Sequence, residues 1–292
     1  MSMRELRSAW LLPAAAAALL ACGPARAEPA LWLVSGGDSE VWLFGSVHLL
    51  PEGGFAVDGA LEDALNEAER VCMEIDPDEQ DEATTTSITL ARAVDPEGRD
   101  LFELLGADAV RVREAAESAE IPLEALAMFE PWFAGLTVSV MALQAHGYDV
   151  QHGVEQVIQA KAREAGKSGC GLETLDGQLG MLDALPASLQ SEILLQAIEE
   201  AAEIESLIEP MLAAWRSGDE HGLVKSLEED FDGYPELAEA LIYERNERWA
   251  EQVATLAAGD DDVLVVVGAM HLVGTRGLPA LLKERGFRVE RL

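Results

Sequence analysis

The segment "LWLVSGGDSEVWLFGS" (residues 31–46) reads as two short apolar strands around a Gly-Gly-Asp turn, which predicts a hairpin. Helical spacing follows at 58–70, "DGALEDALNEAER", with Asp58 placed as a cap and Leu61 and Leu65 on one face. "VCMEI" at 71–75 is then a short buried strand. Strand, helix and strand in that order predict a βαβ unit, with parallel pairing between 41–46 and 71–75.

From 77 to 165 the pattern is mainly helical. "DLFELLGADAVRVREAAESAE" and "PWFAGLTVSVMALQAHG" are the clear helices, and "DVQHGVEQVIQAKAREAG" is a third, closed by Gly166. "SGCGLE" at 168–173 is strand-like, and helices return from 175 to 258. "DVLVVVGA" then reads as a buried strand, "LPALLKERG" as a short helix and "FRVERL" as the terminal strand. No solenoid repeat period occurs. Strands at both ends with helices between predict an α/β or α+β fold. Its mixed, mainly parallel sheet is assembled from both chain ends, and a large helical region, roughly 77–258, is inserted as a cap within a single domain spanning 28–292.

The 292 residues are ample for a buried core, and 49% hydrophobic with 25% charged residues is an ordinary globular composition. The charge balance is not ordinary: 20 Lys plus Arg against 54 Asp plus Glu give −34. Such a surface repels nucleic acid and anionic lipid, which excludes both as partners, and attracts cations or basic polypeptides. The plain alternative is that acidic helices keep the protein soluble. The basic "MSMRELR", the apolar "AWLLPAAAAALLA" and "ARA" before Glu28 predict an export signal over 1–27. "LLAC" ending at Cys22 resembles a lipobox, so an N-terminal lipid anchor is the one membrane contact kept open. The expected location is the periplasm or envelope of a Gram-negative bacterium. Cys72 and Cys170 then remain, both in apolar strand-like stretches, and are expected as buried thiols.

"FGSVHLL" at 44–50 and "VGAMHLV" at 267–273 share Gly-x-x-His-Leu after an apolar run. In a sheet with parallel strands, ligands collect beyond the carboxyl ends of the strands. A Gly there lets the chain turn or another group approach closely. Two imidazoles, His48 and His271, delivered to one edge suit a divalent metal; taken singly, each would be an ordinary polar strand exit. In "VCMEID" the period of two sets Cys72 and Glu74 opposite Val71, Met73 and Ile75. A Glu in an apolar strand needs a cation or a partner. Glu173, ending "SGCGLE", poses the same problem, with a buried Arg salt bridge as its alternative. Two His with one or two Glu suit Mn, Fe, Co or Zn in the two-plus state, which would activate water for hydrolysis with a second carboxylate as base. Which Glu is ligand and which is base stays open in the sequence. No Gly-x-Ser-x-Gly elbow and no phosphate loop is present.

At these residues the chain resembles the TraB/GumN family, the group that includes the Tiki metalloproteases. The resemblance spans roughly 30–292, through "LWLVSGGDSEVWLFGSVHLLPEG", "VCMEID", "FEPWFAGLTVSV", "GYDVQHGVEQVIQAKAREAGKSGCGLETLDGQLGML", "YERNERWA" and "VLVVVGAMHLVGTRGLPALLKERGFRVE". The paired Gly-x-x-His elements in this order are the family's hallmark. The resemblance implies a metal-dependent hydrolase, with peptide-bond cleavage known for the Tiki branch and peptides or proteins as the substrate class. It places His48, His271 and Glu74 as metal residues, and Glu74, Glu173, Arg245 and Asn246 as catalytic ones, with Gln178 nearby. Arg245 would hold a site carboxylate or a substrate carbonyl, against surface pairing with Glu244 or Glu251. A branch of the same broad fold, resembling the ChaN lipoproteins, implies haem-iron binding instead. The GumN name implies, by analogy, an accessory role in polysaccharide secretion.

Overall fold

The structure, a computed structural model, describes residues 28–76 and 81–292. The expected export signal over 1–27, with the lipobox-like Cys22, lies outside the described residues. The strands are β1 (Leu31–Ser35), β2 (Val41–Ser46), β3 (Leu50–Pro51), β4 (Arg70–Ile75), β5 (Tyr148–Asp149), β6 (Ser168–Glu173), β7 (Val263–Gly268) and β8 (Arg288–Arg291). Six of them form one mixed sheet in the order β6-β4-β7-β2-β1-β8, while β3 and β5 make a separate antiparallel pair. β6, β4, β7 and β2 run parallel, and β1 is antiparallel to both its neighbours. The fold is therefore α/β, with a mainly parallel sheet drawn from both chain ends and helices between.

The 31–46 hairpin forms as expected, with Val34 opposite Val41. The expected pairing of 41–46 with 71–75 does not form, because β7 lies between them. The reason is hydrophobic. Val263 through Val267 are all at most 1% exposed, so this strand is apolar on both faces and takes the centre, where both faces are covered.

Alternation along the strands sorts the core into two layers. Trp42, Phe44, Val71, Met73, Leu264 and Val266 face one side, where Leu61, Ile158, Leu212 and Trp215 from three helices pack on them. Val41, Leu43, Cys72, Val265 and Val267 face the other, against Trp249 and Val253 of helix Glu244–Ala257 and Leu281 of helix Leu278–Glu284. A third core joins the helices between β4 and β7, where Val112, Leu123, Ala134, Val138, Leu194 and Ile198 interlock. β6 interrupts that helical region and supplies an edge strand of the main sheet. No described helix is long and apolar enough to cross a membrane.

Cys72 and Cys170 are not the buried thiols expected. They stand in register on β4 and β6, with Cα atoms 4.4 Å apart, and are joined as a disulfide. Side-by-side register on adjacent strands brings their sulfurs together, a relation between segments that spacing along the chain does not reveal.

Candidate active site

The register of β2 and β7 sets the two Gly-x-x-His turns side by side: Gly45 pairs with Val267 and Ser46 with Gly268. Neither glycine has a positive φ; both are needed for close approach. A Cβ on Gly45 would lie 3.0 Å from the Ala269 Cα, and one on Gly268 would lie 3.3 Å from Glu74 Oε1. The Gly45 carbonyl accepts a 2.8 Å bond from buried Trp215 Nε1, which pins the end of β2.

β4 delivers Glu74 to the same edge. Its Oε1 accepts from the Gly268 N–H at 2.8 Å, and its Oε2 from Arg245 Nη2 at 2.5 Å and Gln178 Nε2 at 3.0 Å. Burial works against its charge. The Arg245 guanidinium, the His48 imidazolium and the Gly268 N–H outweigh it and hold the carboxyl at about 2.

Arg245, 6% exposed, is the hub. It rises from the first turn of helix Glu244–Ala257, directly after a π turn over Glu239–Tyr243. Nη2 also donates to Glu173 Oε1 at 2.6 Å, Nε to Glu173 Oε2 at 3.3 Å, and Nη1 to the Leu241 carbonyl at 2.9 Å and His271 Nε2 at 3.2 Å. All five guanidinium N–H groups are thus directed at acceptors, and the Trp249 ring lies 4.4 Å beneath. Of the alternatives left open by the sequence, Arg245 holds site carboxylates; it pairs with neither Glu244 nor Glu251. Glu173 is correspondingly in a salt bridge with Arg245, and burial raises its carboxyl against the pull of that guanidinium.

His271 is 3% exposed. Its Nδ1 donates to Asn246 Oδ1 at 2.7 Å, and Asn246 in turn donates from Nδ2 to the Arg276 carbonyl at 2.8 Å. That second bond orients the amide, so the proton sits on Nδ1 and Nε2 keeps its lone pair. Burial lowers the imidazole to about 3, leaving it neutral. Nε2 stands 4.0 Å from Glu74 Oε1.

His48 lies at the rim, with 61% of its side chain exposed. Its Nδ1 is 2.7 Å from Glu155 Oε1, which also accepts from Ser46 Oγ at 2.5 Å. The charge of Glu155 raises the imidazolium to about 9. Glu155 belongs to the first turn of helix Val154–Glu164. The reading of the sequence passed over it, and the one local signal is "HGVE", a Gly opening a helix with an acid two residues on. Gly153 there is structural as well: a Cβ would sit 2.2 Å from the His48 carbonyl oxygen. Gly153→Ala must push the His48 turn away, and is expected to cost about 1–3 kcal/mol of stability in a denaturant titration, the usual range for overpacking.

His48, Glu74, Arg245 and His271 line one cavity of about 420 Å³, and His48, Glu74 and Glu155 also line an adjoining groove of about 520 Å³. Glu173 lines neither, lying behind Arg245. Among the described residues no three His, Cys, Asp or Glu side chains are gathered to hold one ion as they stand. The donor chemistry nevertheless fits one. Each of these two histidines has Nδ1 held by an oxygen acceptor, the arrangement found in metal-bound imidazoles, and an ion would take the Nε2 lone pair of His271 from Arg245 and displace the Nε2 proton of His48. His271 and Glu74 are already adjacent, and exposed His48 is the group with room to move.

No curated protein and no solved structure matches the chain. A family model does, over residues 30–291, a span that takes in both Gly-x-x-His turns, the strand glutamates and the Arg245–Asn246 pair. The chain that builds this site belongs to the TraB/PrgY/gumN family.

Proposed function

We propose that the protein is an exported, metal-dependent hydrolase of peptides or proteins, with His48, Glu74 and His271 as metal ligands. One observation carries the reading: two histidines from opposite ends of the chain line one cavity with a buried carboxylate, each with its Nδ1 tied back to an oxygen. When bound, a divalent ion would supply Lewis acidity toward water and toward the scissile carbonyl. In hydrolysis the C–N bond breaks, the hydroxyl of water going to the carbonyl carbon and its proton to the amine. Asn246 and Glu155 orient the two imidazoles. Arg245, clamped between Glu74 and Glu173, fixes the carboxylate that faces the cavity, so Glu173 is a positioning residue rather than the base. The Cys72–Cys170 disulfide supports the export part of the reading, because such bonds persist in oxidising compartments.

The test is direct. Purified protein is stripped with a chelator, resupplied with Mn, Co, Fe or Zn, and offered a mixed peptide pool with products read by mass spectrometry. Cleavage is expected with at least one ion and none without. Inactivity with all four would count against the proposal, and a Soret change on haem titration that depends on His48 or His271 would favour haem-iron binding instead. Asn246→Ala and Glu155→Gln each remove an outer partner of one imidazole. Each is expected to weaken metal binding about 10–100-fold by calorimetry.

A further inference from the structure

We infer that the apolar side of the candidate cavity is a subsite for one bulky, flexible apolar side chain of the substrate, of the leucine, methionine or phenylalanine type. This rests on the hydrolase reading and adds the substrate's chemistry to it. Leu136, Met181, Met211, Phe231, Ile242 and Met270 line the same cavity as the polar groups. They come from separate elements: Leu136 from helix Pro131–Ala145, Met181 from Leu175–Asp183, Met211 from Ile204–Ser217, and Met270 from the turn between Gly268 and His271. The three methionines and Phe231 are only half-buried. Met211, Phe231 and Met270 pack from behind on the sheet core, which makes a supported wall.

The two matching turns make the point locally. Val47 and Met270 occupy the same place, one residue before the histidine. Both border the cavity, but Val47 is buried at 8% exposure, whereas Met270 is left half-buried. An apolar wall of this kind beside a polar cluster gains by covering itself with an apolar group delivered alongside the reacting bond. Unbranched thioether side chains adapt to different shapes, so the subsite accepts several large apolar side chains rather than one. It rejects a charged side chain, which would lose its hydration there without a partner. A methylene more or less in an apolar pocket changes kcat/KM by about 10–200-fold, so leucine should exceed alanine by at least about tenfold.

The experiment uses metal-loaded protein and Gly-Ser peptides carrying a single variable residue X, namely Leu, Met, Phe, Ala, Asp or Lys. Cleavage sites are mapped by mass spectrometry, and affinity for the same peptides is measured by fluorescence anisotropy. Cuts are expected beside X, with the Leu, Met and Phe peptides at least about tenfold better than Ala, and Asp and Lys poorest. In Met211→Gln and Met270→Gln the Leu-to-Ala ratio should fall toward one, while Met211→Leu should keep it. Cleavage with equal ratios, or ratios unmoved by both glutamine variants, overturns the subsite and leaves the hydrolase reading intact. No cleavage, but tenfold tighter binding of the Leu peptide that Met211→Gln abolishes, keeps the subsite and rejects the hydrolase reading. Neither cleavage nor selective binding overturns both.

Discussion

Arg245→Met is expected to be the most damaging single substitution, costing about 3–5 kcal/mol, the range for removing one partner of a buried ion pair. The loss follows from what is left behind. Glu74, 8% exposed, and the half-buried Glu173 both accept from this one guanidinium and are neutralised by it. Without it two neighbouring carboxylates face each other and His271 loses its Nε2 donor. For a chain of this size the change corresponds to a fall in Tm on the order of 10 °C. Arg245→Lys should rescue little, because one ammonium with three donors cannot reproduce a planar fork serving five acceptor contacts.

The pH dependence gives the same claim a sign. In the native protein Glu74 is held at about 2, below the ordinary carboxylate value of 4.5. Its contribution to stability is therefore complete above that ordinary value and is lost as pH falls toward 2. In Arg245→Met the Glu74 carboxyl rises above its unfolded value and that of Glu173, already raised by burial, rises further, so the folded state binds extra protons and loses stability as pH increases. The gap between variant and native protein should be small near pH 4 and largest above neutrality. A gap independent of pH would mean that lost packing on Trp249, not the unpaired carboxylates, causes the damage.

Removing the disulfide is expected to have the second largest effect. Cys72 and Cys170 are 98 residues apart, and closing a loop of that length restricts the unfolded chain by about 4–5 kcal/mol in the chain-entropy picture, with 2–5 kcal/mol usual in practice. The Cys72→Ala/Cys170→Ala double variant should lose that amount in a denaturant titration, and adding reductant should lower the native midpoint alone. Equal midpoints, with two free thiols titrated in the native protein, would show that the bond does not form. The bond also bears on the site: Glu74 is two residues beyond Cys72, and Glu173 three beyond Cys170, on the strands it joins. A frayed β4–β6 edge would separate the two carboxylates that grip Arg245.

The parts of this structure legible in the sequence are those written locally. The Gly-Gly-Asp hairpin and the two apolar runs ending in Gly-x-x-His declare themselves within a few residues, and so does a Glu stranded in an apolar strand. Strand order does not, because β7 displaces β4 from β2 only by being apolar on both faces, a competition between segments almost two hundred residues apart. The disulfide was hidden for the same reason: the thiols meet through register, not spacing. Glu155 was hidden by composition. In a chain with 54 acidic residues, an acid in the first turn of a helix looks like ordinary end-capping. Arg245 and Asn246 came from family resemblance. Their partners lie on β4, β6 and the turn after β7, and nothing within helix Glu244–Ala257 announces them.

The central claim is that two turns from opposite ends of the chain make one metal site, and calorimetric titration of chelator-treated protein with Mn, Co or Zn tests it most directly. One ion per chain is expected to bind, with binding lost in His48→Ala and in His271→Ala separately, since each supplies a ligand the other cannot replace. Absence of binding by the native protein, or binding that survives both substitutions, would contradict it.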